Sequence, residues 1–143
     1  MRVVRFSMYI VKFGSGSEFL KLEIPSDLSI DGWFDVAAEI KTNKFIGNII
    51  ISIETWDILN FLNSLEELYE SLKGSASFET REEQLNFKLE AQAGGHIEVS
   101  GVAWSEARYG SKLDFIFSLD QTFLLEPLST LRHLSLQLNK TSN

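Results

Sequence analysis

Hydrophobic and polar residues alternate along the first third of the chain, and this alternation is the pattern of half-buried β-strands. The turn residues Gly14–Ser17 and Thr42–Lys44 separate strands that we expect to pair as hairpins, and Pro25–Gly32 forms a polar connection. The first strand is apolar on both faces, so we expect other elements to cover both of its sides. The predicted strands are Val3–Phe13, Phe19–Ile24, Phe34–Ile40 and Phe45–Ile53.

At Thr55 the apolar spacing changes from every second residue to the three-to-four spacing of a helix, which predicts a helix over residues 55–73. Thr55 is expected to cap the first turn, and Asp57 complements the positive end of the helix dipole. Lys73 followed by Gly74 is typical of a helix end. The apolar stripe consists of Ile58, Phe61, Leu62, Leu65, Leu68, Tyr69 and Leu72.

The second half repeats this order of strands followed by a helix. Turns at Ala93–Gly95 and Arg108–Gly110 join the strands, and Pro127 fits the first turn of a second helix, where no amide donor is lost. The apolar stripe of that helix is Leu128, Leu131, Leu134 and Leu138. The predicted strands of this half are Ala76–Thr80, Leu85–Ala91, Ile97–Ala103 and Leu113–Leu119.

Short connections between neighbouring strands imply antiparallel pairing, and helices segregated from runs of strands indicate the α+β class. We therefore predict about eight antiparallel strands, with a sandwich-like arrangement as one form, one central helix and one C-terminal helix. A chain of 143 residues is the size of one ordinary domain. We place this domain at residues 1–138 and expect a flexible tail over residues 139–143.

The chain contains no cysteine, which excludes disulfides, thiolate zinc sites and a cysteine nucleophile. Arg5 and Lys12 interrupt the apolar N-terminal segment, so this segment does not have the pattern of a signal peptide. No segment approaches the ~18 apolar residues of a membrane span. These features lead us to expect a cytoplasmic protein.

The net charge of −7 is concentrated in one segment. Residues 54–83 hold eight acids and two bases, a net charge of −6. An acidic chain repels the phosphates of nucleic acids, whereas a concentrated acidic surface attracts a basic protein. The alternative is that these charges only keep a surface helix soluble. The candidate partner-binding residues are Glu66, Glu67, Glu70, Glu79, Glu82 and Glu83.

Motifs for catalysis or metal binding are absent from the sequence. His96 and His133 each lack a second histidine or a carboxylate pair at ligand spacing, so we interpret both as surface residues. The glycines of residues 13–19 lack the Gly-Lys-Ser/Thr of a phosphate loop, and no Gly-x-Ser-x-Gly elbow occurs. Paired carboxylates such as Glu82 and Glu83 leave a hydrolase as a third hypothesis. We predict no catalytic residue, no metal and no cofactor.

Three tryptophans support a second hypothesis, a small-ligand-binding domain. Trp33, Trp56 and Trp104 each lie at the end of a predicted element, where an aromatic ring can line a pocket between sheet and helix. Large aromatic rings at such positions also serve as lids on the core. A filled interior without a cavity would count against ligand binding.

Several segments together resemble a known family. They are Asp31–Trp33 at a strand start, Ser52–Trp56 leading into the central helix, residues 75–90, residues 96–104, and residues 113–134. Their apolar spacing and their Trp, Asp and Glu positions are similar to those of the WapI-type immunity proteins, which are encoded beside bacterial polymorphic toxins. The resemblance implies an antitoxin that binds the toxin domain of its own strain without catalysis. Many such toxins are basic nucleases, which an acidic surface would suit.

Overall fold

Eight antiparallel strands form two four-stranded sheets, and each sheet is followed in the chain by a helix. The computed structural model describes residues 8–26, 32–107 and 110–141, without the side chains of residues 139–141. The start of the first predicted strand, most of the 25–32 connection and two residues of the predicted 108–110 turn lie outside the described residues.

Sheet A contains the first four strands in sequence order, and sheet B contains the last four in the same order. The strands of sheet A are β1 (Met8–Ser15), β2 (Glu18–Pro25), β3 (Trp33–Lys41) and β4 (Ile46–Glu54). The strands of sheet B are β5 (Ser75–Phe78), β6 (Leu85–Ala91), β7 (His96–Trp104) and β8 (Lys112–Asp120). Helix α1 (Thr55–Ser71) joins the sheets, and helix α2 (Leu125–Thr141) follows sheet B. The predicted α+β class is confirmed, and the repeated order of the two halves is a property of the fold.

A cluster of phenylalanine rings fills the interior where the two halves meet. Phe61 of α1 lies 6.0 Å from Phe13 of β1, 5.6 Å from Phe78 of β5 and 5.3 Å from Phe87 of β6, measured between ring centroids. The rings of Phe78 and Phe87 are stacked at 5.0 Å. One helix residue therefore contacts strands of both sheets and links the two halves.

Strand β1 is covered on one face only, so the prediction of two covered faces is wrong for its described part. Val11 and Phe13 are buried, whereas Met8, Ile10 and Lys12 on the other face are exposed. The helices and the opposite sheet pack against the inner face of sheet A. On the outer face, Ile10 and Lys12 border an open cleft that Thr122, Phe123 and Glu126 also line. Met8 and Ile10 are apolar although they are exposed, so the sequence of β1 resembles that of a strand buried on both faces.

Helix α1 differs from its prediction at both ends. Glu54, not Thr55, is the N-cap residue, and its backbone N–H donates to Asp57 Oδ2 at 2.9 Å. The helix ends at Ser71, before the predicted Lys73–Gly74 end. Leu72 follows with a φ of 54° and donates its backbone N–H to the Leu68 carbonyl at 2.8 Å. Leu72 thus adopts the left-handed backbone conformation at the end of the helix, a position where glycine is the usual residue.

Replacing this leucine with glycine should stabilise the protein. Left-handed backbone costs an L-residue roughly 1–2 kcal/mol, and glycine avoids this cost. We expect Leu72→Gly to raise the free energy of unfolding by roughly 0.5–1 kcal/mol, after the loss of a partly exposed side chain. Leu72→Ala is the matched control, because it shortens the side chain and retains the strain. Equal stability of the two variants in urea unfolding would contradict this account.

The start of α2 includes a short helical turn that the sequence patterns did not predict. A 3₁₀ turn over Gln121–Leu124 precedes the helix, and Pro127 lies in the first turn of α2, as predicted. Asp120 Oδ1 accepts a hydrogen bond from the Thr122 backbone N–H at 2.9 Å. The hydrogen bonds from Thr122 hold the pKa of the Asp120 carboxyl below its ordinary value. The backbone of α2 continues to Thr141, into the segment expected to be a tail.

Candidate functional site

The first acidic set comprises Glu66, Glu67 and Glu70 on α1. Glu67 and Glu70 are exposed. Glu66 is engaged within the fold, because its Oε1 accepts from Arg132 Nε of α2 at 3.1 Å. The ion pair links the two helices and leaves Glu67 and Glu70 as the free charges of this set.

The second acidic set comprises Glu79, Glu82 and Glu83, in the turn between β5 and β6. All three side chains are exposed. Glu83 has a φ of 57°, and its backbone N–H donates to the Thr80 carbonyl at 3.1 Å, which closes the turn. The turn therefore directs two consecutive carboxylates into solvent.

The two acidic sets lie at different ends of α1. Arg81 NH1 lies 3.6 Å from Glu54 Oε1, which places the second set beside the start of the helix. Glu67 lies 13 residues further along α1, which corresponds to about 20 Å at 1.5 Å per residue. The structure therefore divides one acidic segment of sequence into two separate surfaces.

An open cleft lies beside the second set. Its volume is about 610 Å³, and its lining residues are Arg81, Glu82, Glu83, Trp104 and Ala107. The Lys112 ammonium lies 5.5 Å from the Trp104 ring centroid. The cleft thus combines carboxylates with an aromatic ring that already carries a cation, and this chemistry suits cationic side chains.

Gln84 holds the Trp104 side of this cleft in place. Only 7% of Gln84 is exposed, and its Nε2 donates to the carbonyls of Trp104 at 3.2 Å and Ser105 at 3.3 Å. The Trp104 backbone N–H donates to the Gln84 carbonyl at 2.8 Å. Sequence patterns missed Gln84 because a polar residue at a strand start normally indicates a solvated turn.

The three tryptophans do not face the space between sheet and helix. Trp33 and Trp104 are half-buried and alternate with the buried Phe34 and Ala103, so they point to the outer faces of their sheets. The Arg81 guanidinium lies 5.9 Å from the Trp33 ring centroid. Trp56 is largely exposed in the first turn of α1. The phenylalanine cluster occupies the interior, and a ligand role for the tryptophans stays a prediction.

Both histidines are exposed, as expected. His96 lies opposite Asp120 in the β7–β8 pair, and His133 lies on α2. Among the described residues, no three His, Asp or Glu side chains are grouped so that they could hold a metal ion. No helix in the described part of the chain is both long and apolar enough to cross a membrane.

Comparison with known protein families decides the assignment. The model of the immunity protein WapI-like family matches residues 5–140, which is nearly the whole chain. The chain belongs to the WapI-like immunity protein family. The resemblance seen in separate segments of the sequence is thereby confirmed. No curated protein matches the chain in a sequence comparison.

Two solved structures share the fold of this WapI-like protein. A structure of MRP1/MRP2 from Trypanosoma bruciei matches with a TM-score of 0.53 and 10% identity, over 97% of this chain and 88% of that chain. A guide-RNA-binding protein complex bound to a guide RNA matches with a TM-score of 0.50 and 12% identity, over 99% of this chain and 90% of that chain. At these identities the likeness concerns the fold alone.

Proposed function

We propose that this protein is a bacterial intracellular immunity protein that binds and neutralises a cognate toxin domain through an acidic surface. Membership of the WapI-like immunity protein family carries the proposal. The exposed carboxylates on α1 and on the β5–β6 turn support it, because they present negative charge to a basic partner. A basic nuclease domain is the partner class that this charge suits best.

The turn set is our first choice for the contact surface. Glu82 and Glu83 line one cleft with Trp104, whose ring Lys112 already approaches, so a lysine or arginine of the partner would meet the two carboxylates there. Such clusters of charge and aromatic area are typical of the residues that contribute most to binding. The helix set offers only two free carboxylates without an adjacent cleft of this kind.

Nucleic acid is a less suitable partner. One structure of the same fold is a guide-RNA-binding complex, but the net charge of −7 in this chain opposes association with phosphates. A small-ligand-binding role remains the alternative to toxin binding. The three tryptophans lie on different elements, and in the described structure none of them faces the interior between sheet and helix.

Charge reversal should show which of the two acidic sets contacts the toxin domain. We expect Glu82→Lys with Glu83→Lys to slow association with the cognate toxin domain by about tenfold or more, because long-range attraction is lost. Glu67→Lys with Glu70→Lys should have a smaller effect. Association rates of purified proteins at low and high salt test this difference, since screening should weaken wild-type binding most.

The control pair is Glu18→Lys with Glu126→Lys, which changes the net charge equally at positions outside both sets and outside the lining of the Trp104 cleft. It should leave association within a few-fold of wild type. If both acidic pairs behave like this control, the acidic contact surface is wrong. If the wild-type protein fails to protect cells that express the toxin, the immunity function itself is wrong.

A further inference from the structure

Strand β4 and the start of α1 carry a row of exposed apolar side chains. Ile46 and Ile50 lie on the outer face of β4 and are each 61% exposed. Phe45 just before the strand and Trp56 just after it are each 66% exposed. The exposed Asn48 lies between Ile46 and Ile50 on the same face, so this face of β4 mixes apolar and polar side chains. Exposed apolar area bordered by polar residues often marks an interaction surface.

This row follows β4, which is an edge strand of sheet A. Sheet B borders the first half of that strand, where Leu113 lies against Gly47 and where Trp104 and Ser105 line a cleft with Ile46 and Ile49. Neighbouring elements also contact the other edge strands: β1 packs on α2, β5 packs on α1, and β8 meets β1 where Gly14 lies against the Phe117 ring. On β4 the outer-face side chains of Ile46 and Ile50 remain exposed. Proteins usually protect an exposed edge with charged residues or proline, and Ile46–Ile53 contains neither.

The two ends of this surface have opposite charge. At the start of β4, Lys44 is exposed. Lys112 lines the same cleft as Phe45, and its ion pair with Asp114 at 3.7 Å offsets part of its charge. At the far end are Glu54 and Asp57, and the exposed Asp35 lies opposite Ser52 on β3. Arg81 offsets part of this negative charge through its ion pair with Glu54. The surface therefore has a basic end, an apolar centre and an acidic end.

We propose that this surface is a self-association interface in which two copies of the chain pack antiparallel along β4, with Ile50 near the two-fold axis. A two-fold interface must be self-complementary, and antiparallel packing places the basic end of each copy against the acidic end of the other. The same packing buries Ile50 of both copies at the centre, where interfaces are most apolar, and it places Ile46 of each copy opposite Glu54 of the other. The dimer does not depend on the proposed toxin binding.

Sedimentation velocity across a wide range of protein concentration tests the dimer. We expect a concentration-dependent dimer that high salt weakens. Ile50→Lys should raise its dissociation constant by about tenfold or more, because two lysines would meet at the axis. Ile116→Lys is the matched control, because Ile116 is 60% exposed on the outer face of β8. This control should dimerise like the wild type.

Cross-linking tests the orientation, since the chain has no cysteine of its own. With Ile50 at the axis, Asn48 of one copy lies opposite Ser52 of the other, so Asn48→Cys with Ser52→Cys should cross-link efficiently with a short bifunctional thiol reagent. Asp114→Cys with Ser118→Cys has the same spacing around Ile116 and should not cross-link. Either a monomer at every concentration or equal cross-linking of both pairs overturns the proposal. If Ile50→Lys abolishes toxin neutralisation while the wild type is monomeric, the toxin covers this surface instead.

Discussion

Replacing Phe61 with alanine should destabilise the protein by about 3–5 kcal/mol, as large aromatic truncations in protein cores do. Phe61 is only 2% exposed, and its ring contacts Phe13, Phe78 and Phe87. The lost ring leaves a cavity at a position where α1 contacts both sheets. Since a domain of this kind is stable by roughly 5–15 kcal/mol, the variant would lose a large share of its stability. Urea unfolding followed by far-UV circular dichroism measures the change.

Two further variants test whether the effect comes from this position. Phe61→Leu keeps part of the apolar volume and should lose less stability than Phe61→Ala. Leu136→Ala removes a side chain from the exposed face of α2 and should change stability by no more than about 0.5 kcal/mol. A loss for Phe61→Ala as small as that for Leu136→Ala would show that the phenylalanine cluster does not link the halves.

Replacing Gly101 with a residue that has a side chain should cause the second large loss of stability, after Phe61→Ala. Gly101 lies on the inner face of β7, between Phe87 of β6 and Phe115 of β8. A Cβ at this position would lie 2.7 Å from both the Phe87 Cβ and the Phe115 Cζ, and it would also meet the Asn86 carbonyl oxygen. We expect Gly101→Ala to cost about 1–3 kcal/mol through overpacking, and Gly101→Val to cost more.

The neighbouring residue provides the control for Gly101. Ser100→Ala changes the opposite face of the same strand and should alter stability by at most about 0.5 kcal/mol. Shortening the ring in Phe115→Leu should restore part of the stability of Gly101→Ala, because it removes one of the close contacts. Full tolerance of Gly101→Val in thermal unfolding would contradict the close approach of the three strands.

The candidate residues were predictable from the sequence, but their grouping was not. Residues 54–83 stand out by their excess of acids, and this signal needs no structure. That Glu66 pairs with Arg132 could not be predicted, because the two residues are 66 positions apart on different helices. The cleft beside Glu82 depends on Trp104 and Gln84, which reach this turn only through sheet pairing and side-chain hydrogen bonds.

The sequence by itself determined the order and type of the elements, because alternation and helical spacing are local properties of neighbouring residues. It also determined family membership, which depends on the same spacing along the whole chain. Only the tertiary structure decided that the strands form two sheets, that β1 is open on one face and that the acids divide into two surfaces. A periodic pattern shows which residues share a face of a strand or helix. Which element covers that face depends on contacts between distant segments, and these leave no periodic signal in the sequence.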